Sequence, residues 1–364
     1  MRKTLSGLAT VGLVLALAAC GASSEDTTSS IDANQGATIG ISMPSKTIAR
    51  WVADSKAMSE QFSQMGYKVN VQFADNDVKA QVSQVQEMID GGDKLLVIAS
   101  VDGSSMTDVL ANAAKKNVKV IAYDRLLTGT KDVGYQATFD NVRVGEMQGQ
   151  VLVDRLGLAT GAKGPFNVEL FAGSATDVNA KSFYVGAMKV LQPYFDSGKL
   201  VVRSGDTEFD AITTKDYDAG LAEKRMAKLL DTVDKNAELA AVLSPYDGMT
   251  IGIIKALKAA GYGTAAKPLP VTSGQDAELP SLKSIIADQQ TATIYKDTRE
   301  LAKVAVQQGN ALLTDTDPMV NDSKSFNNGV KVVPTYLLYP VAVDKTNYQT
   351  LLVDGGYYTK DQLA

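Results

Sequence analysis

The sequence predicts an α/β protein made of two doubly wound parallel-sheet lobes. Three observations carry this. Strand-like and helix-like segments alternate from Thr38 onward through short connections. Apolar runs such as Leu95 to Ala99 lack polar alternation, as expected of parallel strands covered by helices on both faces. The alternation also starts afresh at Phe166, and 364 residues allow two units of about 150 residues, each with its own core.

The first element is not part of either lobe. Met1-Arg2-Lys3 is a basic start, Leu8 to Leu17 is mostly apolar, and Leu17-Ala18-Ala19-Cys20 closes the segment. An apolar stretch of about 10 residues is too short to cross a ~30 Å hydrocarbon core, and the whole pattern is that of an export signal. The tetrapeptide resembles the bacterial lipobox, which implies removal of residues 1–19 and a lipid on Cys20. A plain secretory signal with a chance cysteine is the other reading. Residues 20–37 are rich in Ser, Thr, Gly and Asp, cannot bury a core and are expected to form a flexible tether. The protein is therefore expected outside the cytoplasmic membrane, anchored to its outer face or in the periplasm.

The lobes follow in order. Ile39 to Met43 is a short apolar strand. Ala49 to Met65 carries Trp51, Met58, Phe62 and Met65 on one helical face and stops at Gly66. Val69 to Phe73 is the next strand. Val78, Val82, Val85 and Ile89 repeat at helical spacing until Gly91-Gly92. Leu95 to Ala99 is a strand, Met106 to Lys116 a helix and Val118 to Tyr123 a strand. In the second unit, strands are expected at Phe166–Phe171, Leu200–Val202, Leu239–Leu243, Pro270–Thr272 and Thr291–Tyr295. Helices are expected at Lys181–Leu191, Ala219–Leu230, Met249–Ala260 and Pro280–Ala287, with a last long helix at Asp297–Leu313.

Composition excludes several kinds of chemistry. There is no histidine and one cysteine, already assigned to the lipid, so Ser-His and Cys-His nucleophilic sites are absent and no disulfide forms within the chain. A zinc site would need carboxylates alone. Asp315, Asp317 and Asp322 do not match a calcium loop, and no glycine-rich piece matches a P-loop or GxGxxG, so neither a metal nor a cofactor is expected. The net charge of -5 makes the surface a poor binder of nucleic acid. Catalysis by carboxylates alone remains open, as in glycoside hydrolysis.

In open α/β sheets ligands sit beyond the carboxyl ends of the strands, which directs attention to the polar residues there. Asp124-Arg125 sets an acceptor-only carboxylate beside a planar donor fork, a pair that satisfies adjacent sugar hydroxyls. It also reads as a local ion pair closing a loop. Asp276, in Gly274-Gln275-Asp276-Ala277-Glu278, is either a ligand contact or a cap for the helix that follows. Lys296 ends a strand, and a solvated surface lysine is its ordinary reading. Trp51, next to Arg50, offers an aromatic face to sugar C–H groups or anchors the core with Met58 and Phe62.

Together these segments resemble the periplasmic-type sugar-binding proteins of ABC importers, of the ribose- and xylose-binding kind that includes multiple-sugar-binding proteins. The resemblance runs from about 38 to 364. It is carried by ARW at 49–51, QVSQVQEMIDGG at 81–92, LLVIASVDG at 95–103, VKVIAYDRL at 118–126, FDNVRVGEMQ at 139–148, VLSPYDG at 242–248, SGQDAE at 273–278 and NNGVKVVPTYLL at 327–338. It implies a type I periplasmic binding protein fold with a three-crossing hinge near Asn141, Lys296 and Asn328. The first lobe would hold residues 38–141 plus 297–328, and the second 142–296 plus 329–364. The implied ligand contacts are Arg50, Trp51, Asp124, Arg125, Asn179, Tyr217, Asp276 and Lys296. Tyr246 stands where xylose and ribose binders have asparagine, which alters the pocket and leaves the sugar open.

The expected function is capture of a monosaccharide, an aldopyranose such as xylose, glucose, galactose or arabinose, and delivery to an importer's permease and ATPase. The expected state is a monomer with no catalytic activity, and a chemoreceptor or sensor kinase is a further possible partner. Alternatives are a nucleoside, a furanose signal or a polyol as ligand. A glycosidase using Asp124 and Asp276 is disfavoured, because beside Arg125 and Lys296 a carboxyl stays ionised and hydrolysis lacks its acid. A sugar-responsive transcription regulator would carry a DNA-binding domain where this chain has its export signal.

Overall fold

The structure, a computed structural model, describes Asn34 and residues 36–363. The expected export signal, Cys20 and most of the tether lie outside the described residues.

The first sheet is built from buried apolar strands, as their continuous patterns require. In chain order these are β1 (Thr38–Met43), β2 (Lys68–Phe73), β3 (Leu95–Ile98), β4 (Lys119–Tyr123) and β5 (Tyr135–Phe139). Helices α1 (Ala49–Gln64), α2 (Val78–Asp90) and α3 (Thr107–Lys115) connect them. Two faces are filled separately. On one, Trp51, Met58 and Phe62 of α1 pack with Ile39, Ile41, Leu95, Val97 and Tyr123. On the other, Val85, Met88 and Ile89 of α2 and Val109, Leu110 and Ala113 of α3 pack on Leu96, Ile98 and Val120.

After β5 the chain enters α4 (Asn141–Arg155), which packs on α5 (Val178–Asp196) of the second lobe. Neither β5 nor α4 stands out in the sequence. Gln136 and Thr138 interrupt the apolar run of β5, and α4 buries Asn141 and Gln148 beside its apolar residues. α5 also extends well beyond Lys181–Leu191. Gly145 of α4 and Gly186 of α5 form the crossing point. A Cβ on either would collide with a backbone carbonyl of the other helix, Phe183 O or Val142 O.

The second lobe adds β6 (Phe166–Leu170), β7 (Leu200–Val201), α6 (Ala219–Asp231), β8 (Ala241–Leu243), α7 (Asp247–Ala259), β9 (Val271–Thr272), α8 (Leu279–Ile286) and β10 (Ala292–Tyr295). Its parallel sheet runs β7-β6-β8-β9. The chain then returns through α9 (Thr298–Leu313), whose Leu301, Ala302, Ala305 and Val306 lie in the first-lobe core.

The last crossing differs from the sequence expectation. Residues after Asn328 stay on the first lobe, where β11 (Thr335–Leu338) pairs in parallel with β5 and completes the order β11-β5-β4-β3-β1-β2. Only then does β12 (Val341–Asp344) pair antiparallel with β10. The crossing therefore lies at Tyr339-Pro340 rather than at Asn328. The side chain of Asn328 is instead buried in the first lobe, donating to the carbonyls of Leu127 and Thr130. Among the described residues no helix is long and apolar enough to cross a membrane.

Candidate functional site

The carboxyl ends of both sheets face one another across a cleft, and the residues that follow the strands turn into it. Asp124, directly after β4, has φ +61, and Asp276, in the loop before α8, has φ +88. Left-handed backbone is uncommon outside glycine, more tolerated by Asp and Asn, and concentrated at ligand clamps. Here it aims both carboxylates inward. The Asp276 loop is held from behind by Asp247, fully buried at the start of α7. Asp247 accepts from Glu278 N, Gln290 Nε2 and Thr293 Oγ1, each at 2.9 Å. Gly274 lets the loop pass this close, since a Cβ there would meet the Asp247 carboxylate and the Gln290 amide. Burial, then the charge of Glu278, pushes the Asp247 carboxyl well above the usual range.

All nine side chains singled out in the sequence line one cavity: Arg50, Trp51, Asp124, Arg125, Asn179, Tyr217, Tyr246, Asp276 and Lys296. About 330 Å³ of space free of atoms, part of it open to solvent, lies among these side chains. Arg50 NH2 donates to Asp124 Oδ2 at 2.9 Å and to Asp54 Oδ2, one helical turn on, at 3.2 Å. Its NH1 lies 3.7 Å from Asp276 Oδ1. Arg125 NH2 pairs with Asp177 Oδ2 at 3.0 Å, and its NH1 donates to Ser100 O at 2.9 Å. Asn179 Nδ2 donates to Asp124 Oδ1 at 2.8 Å. Three polar contacts thus span the cleft: Arg50–Asp276, Arg125–Asp177 and Asn179–Asp124. Lys296, between β10 and α9, is buried and lies 3.0 Å from Asp276 Oδ1. Phe139 and Phe183 flank its ammonium at 5.8 Å and 5.7 Å.

Trp51 lies under both guanidiniums, 4.3 Å from that of Arg50 and 5.3 Å from that of Arg125. It serves two ends at once, since it also belongs to the first-lobe core. Tyr217 donates to Asp177 Oδ2 at 2.8 Å, Tyr246 donates to Glu278 Oε1 at 2.7 Å, and the two rings meet edge-on at 5.9 Å.

The electrostatics are those of a fixed ionic cage. Burial alone would raise the Asp124 carboxyl, but Arg50, Lys296 and Arg125 hold it below the usual carboxylate range. Burial dominates at Asp54, which is pushed up to about 6 despite Arg50. The cavity wall carries three cations (Arg50, Arg125, Lys296) and three carboxylates (Asp124, Asp177, Asp276), so it presents no net charge to a ligand. Arg50 Nε, Arg125 Nε, Trp51 Nε1 and Gln275 Oε1 are buried without a hydrogen bond. Such groups are costly when left unmet. Donors and acceptors thus stand ready on the same wall.

Four wall residues were not singled out as contacts in the sequence: Ile48, Asp177, Phe183 and Gln275. Asp177 and Gln275 adjoin residues that were. Phe183 follows Asn179 by one helical turn of α5, a spacing that places both on one face. Among the described residues no group of three or more His, Cys, Asp or Glu side chains is placed to hold a metal.

Comparison with known proteins matches residues 39–317 to the periplasmic binding protein domain. The chain belongs to the periplasmic binding protein family. The family resemblance and the type I fold read from the sequence are therefore borne out. Within the family, the chain is 54% identical over 326 residues to the multiple sugar-binding periplasmic receptor ChvE of Rhizobium radiobacter, covering 90% of this chain and 92% of that protein. It is 34% identical over 327 residues to the D-xylose-binding periplasmic protein of Escherichia coli, covering 89% and 92%. Among solved structures, an ABC transporter solute binding protein from Clostridium phytofermentans with bound β-D-glucose superposes with a TM-score of 0.86. That protein is 44% identical, and the match covers 90% of this chain and all of that one.

Proposed function

We propose that this periplasmic binding protein captures a neutral monosaccharide between its lobes and delivers it, unchanged, to an ABC importer. The observation that carries the reading is the charge-balanced wall of three cations and three carboxylates that converge between the lobes. A pyranose offers hydroxyls that both donate and accept, and it meets fixed carboxylates and guanidiniums without bringing a charge of its own. In a closed, dry cleft each such charged hydrogen bond is worth about 1.5–3 kcal/mol. The nine sequence-derived residues are the proposed contacts, with Asp177 and Gln275 added. The relatives' names, multiple sugar-binding and D-xylose-binding, and the glucose in the Clostridium phytofermentans structure favour an aldopyranose such as glucose, xylose, galactose or arabinose.

The lobes turn about the crossings at Asp140-Asn141, Lys296-Asp297 and Tyr339-Pro340, open when empty and closed when loaded. The importer's permease takes the closed form. The protein acts as a monomer outside the cytoplasmic membrane, held by the lipid on Cys20, and has no catalytic role. The depressed Asp124 carboxyl supplies no proton to a glycosidic oxygen.

Thermal shift against a monosaccharide panel tests this. At least one aldopyranose raises the melting temperature, because ligand binds only the folded state. Asp124→Ala abolishes the shift, and the sugar is recovered intact after long incubation. A panel without any shift at millimolar sugar overturns the assignment.

A further inference from the structure

The monosaccharide cavity is not the end of the cleft. Ile48, Arg50, Tyr217, Tyr246 and Asp276 line that cavity and also line a second, larger space, so the two adjoin at these side chains; the second holds about 1600 Å³ free of atoms, part of it open to solvent. This groove stays open although Asn179–Asp124 and Arg125–Asp177 already join the lobes. Its second-lobe side is aromatic. Tyr357 packs edge-on against Tyr295 and Tyr358, both at 4.9 Å, and its hydroxyl lies 3.3 Å from that of Thr298. Tyr358 is thereby presented, half-buried, on a braced ring cluster. Asn76 and Ala53 of the first lobe line the same groove.

The polar lining has a definite sign. Glu278, Asp216, Asp218 and Asp276 line the groove, against Arg50 as the sole cation among its lining residues. Carboxylates accept from hydroxyls and repel anions, so the groove excludes anionic groups and offers acceptors to a hydroxyl-rich group with an apolar face. The space exceeds that of the inner cavity several times over.

The geometry points to a second saccharide subsite. A neutral sugar unit, linked glycosidically to the monosaccharide in the inner cavity, lies in the groove with its ring against Tyr358 and hydroxyls toward Glu278 and Asn76. The ligand class thus extends from monosaccharides to neutral disaccharides. This inference rests on the sugar-binding reading above.

Calorimetric titration of the mature protein with glucose and xylose, and with maltose, cellobiose and xylobiose, tests it. At least one disaccharide binds within about tenfold of its monosaccharide. Tyr358→Ala weakens that disaccharide about tenfold, the size of one lost ring contact, and leaves the monosaccharide within about twofold. Asn76→Ala, in the first lobe, gives a smaller loss with the same selectivity and guards against a folding defect in the tyrosine variant. Monosaccharide binding with no disaccharide binding at a thousandfold higher concentration overturns the subsite alone. Equal losses for both sugar sizes in the variants also overturn it. Binding of neither class overturns the sugar-receptor reading itself.

Discussion

Asn179 Nδ2 donates to Asp124 Oδ1 at 2.8 Å and lies 3.3 Å from the Asp124 carbonyl oxygen, joining the start of α5 to the end of β4 across the cleft. Both side chains are buried. Asp124 simultaneously accepts from Arg50 on its other oxygen, so one carboxylate links a first-lobe cation to a second-lobe amide. Closure and the inner cavity therefore share a residue, and a ligand that bonds to Asp124 acts on both.

Asn179→Asp replaces that amide with a second carboxylate facing Asp124. Like charges set against each other cost several kcal/mol. The variant is expected to remain open at sugar concentrations that close the parent, with affinity reduced about a hundredfold or more. Small-angle scattering with and without sugar reads the closure, and calorimetry reads the affinity. A variant that still compacts on adding sugar refutes the role given to this contact.

Trp51 is the sole tryptophan in the chain and lies beneath two guanidiniums on the cavity wall. Sugar binding is expected to change its emission, because hydroxyls and cations rearrange within contact of the indole. A fluorescence titration should give the same Kd as calorimetry, and Trp51→Phe should remove the signal while sugar still binds, more weakly.

Asp54 gives a pH dependence with a definite sign. Its folded-state pKa is raised from 3.8 to about 6, chiefly by burial. The folded protein therefore holds this proton more tightly than the unfolded chain. The associated stability is fully present below the unfolded value and is lost as pH rises through about 6, by at most about 1.4 kcal/mol per pH unit. Asp54→Asn removes the titration, so parent and variant diverge in this direction between about pH 4 and pH 6. Urea melts across that window test it, and parallel curves count against it.

Gly274→Ala pushes a methyl group into the Asp247 carboxylate and the Gln290 amide that hold the Asp276 loop. Overpacking of this kind costs about 1–3 kcal/mol. The expected result is a lower melting temperature together with weaker sugar binding, since the loop carries Asp276. Loss of stability with unchanged affinity would show that Asp276 keeps its place without this packing.

Legibility was uneven along the chain, for physical reasons. Strands buried on both faces, such as Leu95–Ile98, announce themselves as continuous apolar runs. The strand ends then mark Asp124, Arg125, Asp276 and Lys296, the family resemblance completes the set, and all nine side chains line a single cavity. β5 and α4 are obscured because they bury polar side chains, Gln136, Thr138 and Gln148, whose partners lie on other segments of the chain. The last crossing was misplaced because nothing local in 327–338 says which sheet takes β11. Its pairing with β5 is a contact nearly 200 residues distant in the chain.

The sequence alone determined the class of fold, the family, the missing histidine chemistry and the side chains at the cleft. The fold class and the missing histidine chemistry follow from periodicity and composition, and the family and the cleft side chains from the resemblance of the quoted segments, none of which folding changes. Only the tertiary structure decided how those side chains pair. It set Arg50 among three carboxylates, turned the Tyr246 hydroxyl away to Glu278, braced the Asp276 loop on Asp247 and left a groove open beyond Tyr246. Burial and pairing are properties of three-dimensional neighbours, and at this cleft those neighbours come from segments far apart in the chain.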